Sequence, residues 1–222
     1  LFAKEWMLAG FETKSFAYSF IILAAGYALE DRIIPAGIFI GLALSSHVLV
    51  GGYGGFCLGA AYLILRGKKL PRLGARKISG ALLGMLLAGG FGFYALFRRL
   101  FSSPGELAER AADIYVRYRV AHHVLPSTWG NSLWPLVILI LLGIFGVLFY
   151  FIKRERLRLF FGITLASFAL FGVGVAIFLA GKTEWLKYYW FRFPDSFIPF
   201  SLAIAAAYLL TRAAERAGGS AG

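Results

Sequence analysis

The chain has 222 residues, 59% of them hydrophobic and only 15% charged, with a mean hydropathy of +0.74 and a formal net charge of +12. Soluble domains lie nearer roughly 45–50% apolar with about a quarter charged, so an ordinary soluble protein is excluded. The polar residues are bunched between long apolar runs, as bilayer spans require, and the positive charge reads as Lys and Arg flanking spans rather than as a nucleic-acid surface.

The opening "LFAKEW" has no initiator Met and lacks the charged region and short apolar core of a signal peptide, so the sequence reads as processed or as part of a longer polypeptide. In "GFETK", Glu12 and Lys14 have two readings. They are an interfacial ion pair of little energetic worth, or Glu12 is a general base or carboxylate ligand and Lys14 a phosphate contact.

Apolar runs follow at about 16–29, 33–65, 79–97, 133–152, 159–180 and 197–210. The second is too long for one crossing. As a straight helix it would measure about 50 Å against a hydrocarbon core of about 30 Å. Its middle, "SSHVLVGGYGG", predicts a break near His47–Gly52, with Ser45, Ser46 and His47 supplying polar groups and the glycines permitting a turn. The fold class is therefore all-α: a polytopic transmembrane bundle of about six to seven helices, with a broken pair over 33–65, forming a single domain over 1–222. With residues 30–32 placed in the cytoplasm, alternation puts 13 Lys and Arg in the short loops of that face and 10 in longer segments opposite, which follows the positive-inside rule and makes the C-terminus cytoplasmic. The lone Cys57 permits no internal disulfide.

His47 is a satisfied buried residue on one reading. On another it is functional, because ionisable groups within a membrane commonly are. Ligation of a pigment or haem by His47 is a lesser alternative. Residues 98–132 form the largest non-apolar segment, an external loop carrying an amphipathic helix over 104–119. Ser103 and Glu106 have capping-box spacing with Pro104 at the first helical position. Leu107, Ala111, Ile114 and Tyr118 share one face, and Glu106, Arg110, Asp113 and Arg117 another, which suits a helix lying at the membrane surface. Beyond it, "RVAHHVLPSTWG" places Arg117, Arg119, His122 and His123 within seven residues. Guanidinium forks and imidazoles suit a phosphate or pyrophosphate group; the alternative is a solvated loop anchored by Trp129. Late in the chain, "EWLKYYWFRFPD" reads mainly as an interfacial aromatic belt, with Arg192 and Asp195 as further candidates.

No P-loop, GxSxG, HExxH, CxxC or Rossmann pattern occurs in the sequence. No metal ligand set is assigned, although a divalent ion is left open.

The stretch "GFETKSFAYSFIILAAGYALEDRIIPAGIFIGLALSSHVLVGGYGGFCLGAAYLILRGKK" resembles GT-C type integral-membrane glycosyltransferases. The residues carrying the resemblance are Gly10 and Glu12, the charged turn Glu30–Arg32, then Ala36, Gly37, Gly41, Leu42 and Ala43, then His47 at a bend and the basic segment 66–69. "RYRVAHHVLPSTWG" resembles a loop of bacterial members of that kind. The resemblance implies transfer of a sugar from a polyprenyl-phosphate carrier on the non-cytoplasmic face of a bacterial inner membrane. The family's acidic base belongs to a loop that would precede Leu1, leaving Glu12 and His47 as the catalytic candidates here. Arg117, Arg119, His122, His123, Lys14 and Arg192 would hold the carrier phosphate. The other reading is a non-catalytic subunit of a larger membrane complex, an energy-transducing one among the options, whose partners are membrane lipids and other membrane subunits.

Overall fold

A computed structural model describes residues 12–67, 74–101, 105–129 and 133–218. Every regular element among them is helical. In chain order the principal helices are α1 (Thr13–Leu29), α2 (Ile33–Ser46), α3 (Val48–Arg66), α4 (Ala75–Ala88), α5 (Gly90–Phe101), α6 (Glu106–Ile114), α7 (Ala121–Val124), α8 (Trp134–Phe151), α9 (Glu155–Leu179) and α10 (Arg192–Gly218). Four helices, α3, α8, α9 and α10, are long and apolar enough to cross a membrane, and five spans result if α4 and α5 count as one. The 17-residue α1 and 14-residue α2 complete the expected bundle.

The long second run folds back on itself. His47 adopts an extended conformation (φ −155°, ψ 103°) between α2 and α3, and its Nδ1 accepts the Val50 N–H at 3.3 Å, capping α3. Polar break and cap are thus one residue. The glycines play a different part from the turn expected of them. Gly51, Gly52, Gly54 and Gly55 all lie inside α3, and their missing side chains make room for neighbours. A methyl on Gly51 would strike the Ala43–Leu44 backbone, and one on Gly55 would meet Ile40. The hairpin closes because its inner face is nearly side-chain-free.

The same device joins α2 to α4. Gly37 lies against the Ala81 carbonyl and Gly41 against the Met85 carbonyl, while Gly80 and Gly84 of α4 receive Ile34 and Ile38. This is a two-sided small-xxx-small contact between parallel helices.

The 79–97 run, expected as one straight crossing, instead bends by 70° between α4 and α5. Gly92 rests directly on the Leu44 backbone at the end of α2, and Ser45 Oγ donates to the Ala88 carbonyl at 2.7 Å. Docking on α2 turns α5 aside, and Ser45 satisfies a carbonyl the bend would expose.

Two ends emerge. At one, α1 begins, α2 turns into α3, and the segments after α5 and α9 gather. At the other, Arg66 fastens three helices together. The Arg66 side chain, 10% exposed, holds Glu155 with a two-pronged grip at 2.8 Å, contacts Asp31, and donates to the Leu29 carbonyl at 3.3 Å. Tyr62 also donates to Asp31, at 3.1 Å. The charged turns at 30–32, 66 and 155 therefore share one end, as alternation of spans requires.

Candidate functional site

The His47 end is organised around the segment after α9. A 3-10 turn, Thr183–Tyr188, leads to Tyr189 in left-handed geometry (φ 54°, ψ 48°), and α10 begins at Arg192. Such a backbone costs a bulky residue about 1–3 kcal/mol and persists only where its surroundings hold it. Here they do. Tyr53 of α3 donates its hydroxyl to the Tyr188 carbonyl at 2.7 Å, and Trp190 Nε1 donates to the Trp185 carbonyl at 3.0 Å.

Phe191 and Phe193 are fully buried on either side of Arg192. Phe191 occupies the notch at Gly174 of α9, and Phe193 shares the notch at Gly54 of α3 with Ile21. The belt anticipated for this stretch is thus realised at Trp185, which is exposed, while Leu186, Tyr189, Phe191 and Phe193 form a plug in the bundle. The two anchored phenylalanines fix where Arg192 can go.

Arg192 lies over the Tyr189 ring at 4.0 Å and brings Nη1 to 3.4 Å from His47 Nε2. A neutral imidazole has one acceptor nitrogen. Arg192 can only donate, so it hydrogen-bonds Nε2 in the tautomer that leaves that nitrogen unprotonated, while the Val50 N–H faces Nδ1. Such an arrangement brings a guanidinium and an imidazole together at one point of the fold. It does not suit axial ligation of a pigment or haem by His47, because one ring nitrogen is the helix cap and the other faces a guanidinium.

Tyr189 is the hub for the remaining candidates. Its hydroxyl shares a 2.6 Å hydrogen bond with the Tyr115 hydroxyl, and His123 lies beside it with rings 6.4 Å apart. His122 and His123 have ring centres 4.0 Å apart, and Arg119 reaches over Tyr115 at 5.9 Å. The helix expected to run regularly to Arg119 changes to a π-helical turn over Tyr115–Arg119, where the Val120 N–H reaches back to the Tyr115 carbonyl at 3.1 Å. Such turns re-aim side chains and recur at functional sites.

Arg117 is committed elsewhere. Its Nε grips both oxygens of Asp113, at 2.7 and 2.9 Å, and Nη2 donates to Thr183. The guanidinium holds the Asp113 carboxyl below the usual carboxylate range. This pair clips α6 to the 183–188 turn. Lys14, at the start of α1, contacts Glu12 at 3.1 Å, so the interfacial pair read from the sequence forms. Tyr18, one turn further, donates to the Arg192 carbonyl at 3.5 Å, which brings α1 to the same end.

In α6 the apolar face points outward, with Leu107 84% and Tyr118 81% exposed, while Ala112 and Val116 seat the helix. Ser103 and Pro104, assigned to its cap, lie outside the described residues.

Sequence reasoning missed Tyr189, Tyr115 and Tyr53. Only the doublet "YY" before "WFRF" marked the segment, and a doublet of aromatics reads equally well as a belt. No cluster of three or more His, Cys, Asp or Glu able to hold a metal occurs among the described residues. No family model, curated protein or solved structure matches this chain.

Proposed function

We propose that the His47 end binds the phosphate of a lipid-linked substrate, and that the protein acts in glycosyl transfer from a polyprenyl-phosphate-linked sugar, as the resemblance to GT-C enzymes implies. One observation carries this reading. His47 and Arg192, 145 positions apart, meet at one point, beside a tyrosine that also gathers Tyr115 and His123. A phosphate oxygen accepts from such a pair with charge-assisted strength. Arg119, His122 and Lys14 add positive or titratable groups around it.

In the reaction, an acceptor hydroxyl attacks the sugar's anomeric carbon and the bond from that carbon to the carrier's phosphate oxygen breaks. The carrier phosphate leaves with the bonding electron pair, stabilised by the cations, and the hydroxyl proton passes to a carboxylate. Glu12 is the carboxylate proposed from the sequence for that role. The Arg66 end would then face the cytoplasm of a bacterial inner membrane, with the His47 end opposite.

Binding of a polyprenyl phosphate to the purified chain in mild detergent tests the site. Arg192→Ala and His47→Ala should each weaken it by about tenfold or more, the worth of a charge-assisted hydrogen bond of about 1.5–3 kcal/mol. Unchanged affinity in both variants would sink the assignment.

A second reading, a subunit without chemistry of its own, rests on α8. Only 6% of its most apolar window is fully buried within the chain; one face packs through Ile138, Leu141, Phe145 and Leu148, and the remainder is left for lipid or for neighbouring membrane helices. Stoichiometric co-purification with a stable assembly would favour it, and sugar transfer by the isolated chain would exclude it.

A further inference from the structure

A groove runs along the outer seam of α2 and α4, away from the His47 site. It has a volume of about 590 Å³ and is lined by Ile34, Arg76, Lys77, Ser79, Gly80 and Leu83. Its two parts differ in chemistry. At the Arg66 end, Arg76 and Lys77 are exposed, and neither is ion-paired among the described residues. No acidic residue occupies the first turn of α4. Further along, the seam is apolar. Ile34 and Ile38 rest on Gly80 and Gly84, and Leu83 and Leu87, 57% and 75% exposed, form the outer wall.

We infer that this groove seats one anionic phospholipid, its phosphate on Arg76 and Lys77 and one acyl chain along Ile34, Ile38, Leu83 and Leu87. Three facts select that occupant. The cations require an anionic head. The wall past them offers only hydrocarbon contacts, so a soluble anion would leave most of the groove unused. The distance from Arg76 to Leu87 along the helix is about 16 Å, close to the half-thickness of about 15 Å that one leaflet presents. Just beyond, at Gly89, the chain bends by 70°, so the straight face of α4 past the groove ends about one leaflet from Arg76.

The lipid would also complete the α2–α4 pair, whose glycine contacts bring two thin helices together and leave little side-chain bulk on this flank. The bound lipid covers that flank as a further helix would.

Native mass spectrometry of the full chain, released from micelles containing equal phosphatidylglycerol and phosphatidylcholine, tests the inference. One phosphatidylglycerol should be retained in preference by about 20-fold, since each Lys or Arg beside an anionic head contributes about fivefold. The double variant Arg76→Gln/Lys77→Gln should lose that preference. Leu83→Trp, which fills the groove and keeps both charges, should reduce retention of either lipid. Arg154→Gln/Arg156→Gln, in a separate basic cavity with Tyr208 and Thr211, should leave the preference intact. Equal preference in wild type and Arg76→Gln/Lys77→Gln overturns the proposal, as does loss of preference through the Arg154/Arg156 variant alone. If the charge variant does not fold, unchanged retention in Leu83→Trp overturns it independently. None of these residues contributes to the His47 end, so the phosphate-site reading stands or falls separately.

Discussion

Each end of the bundle holds an arginine, buried at one end and partly buried at the other, and the two arginines are used in opposite ways. Arg66 is saturated: two carboxylates, a backbone carbonyl and a fixed geometry leave its guanidinium fully engaged within the protein. Arg192 lies on an aromatic face and against the His47 imidazole. A guanidinium between carboxylates neutralises itself and locks helices; one stacked on tyrosine beside an imidazole does neither through those two contacts. The first arrangement is a structural clamp, and the second is the one proposed to bind.

The largest effect should come from breaking the glycine-lined contact of α2 with α4. A side chain at Gly37 would overlap the Ala81 carbonyl, so Gly37→Leu should abolish the folded bundle, seen as loss of a single elution peak in detergent. Next, Phe193→Ala removes a fully buried ring packed against Tyr18 and Phe197 and should cost about 3–5 kcal/mol, the usual range for a buried phenylalanine, read from denaturant unfolding. It should also weaken polyprenyl-phosphate binding, because Arg192 loses one of its two anchors. Arg66→Ala should cost about 3 kcal/mol, toward the low end for a broken buried ion pair, since Asp31 and Glu155 are each nearly half exposed. Its phosphate affinity should stay within about twofold when measured well below the unfolding transition. If Arg66→Ala lowers affinity as much as Arg192→Ala does, the contrast between the ends fails.

The smallest effect concerns pH. Asp113 has a depressed folded-state pKa, caused first by its hydrogen bonds from Arg117. Its contribution is therefore fully present above the unfolded value of about 3.9 and is lost as pH falls through the lower folded value. Asp113→Asn should remove a shallow fall in melting temperature seen below about pH 4 and change nothing at neutral pH. A fall of equal depth in the variant would show that other carboxylates cause it.

Much of the frame was legible from local pattern. Run length demanded a break in 33–65, and the one polar cluster in that run placed it; His47 is where the helix ends. Alternation of charged turns predicted which segments share an end, and the Asp31–Arg66–Glu155 contacts bear this out. At Gly89 the same reasoning fell short, because the 79–97 run has an ordinary span length and the cause of its bend, the seat of Gly92 on Leu44, lies in another helix.

The sequence by itself determined that this is an all-helical chain of apolar spans, where its second run must break, and which loops gather at each end, since hydropathy and span length act through neighbouring residues. Only the tertiary structure decided which arginine is gripped by carboxylates and which meets an imidazole, that "YYWFRF" is a plug with Arg192 held between two buried rings, and that Tyr189 joins segments from three parts of the chain. Those outcomes depend on how each helix is rotated about its axis. In a membrane that rotation is fixed by close packing of small residues against distant backbones, as at Gly37 and Gly92, and a contact of that kind leaves no local mark in the sequence.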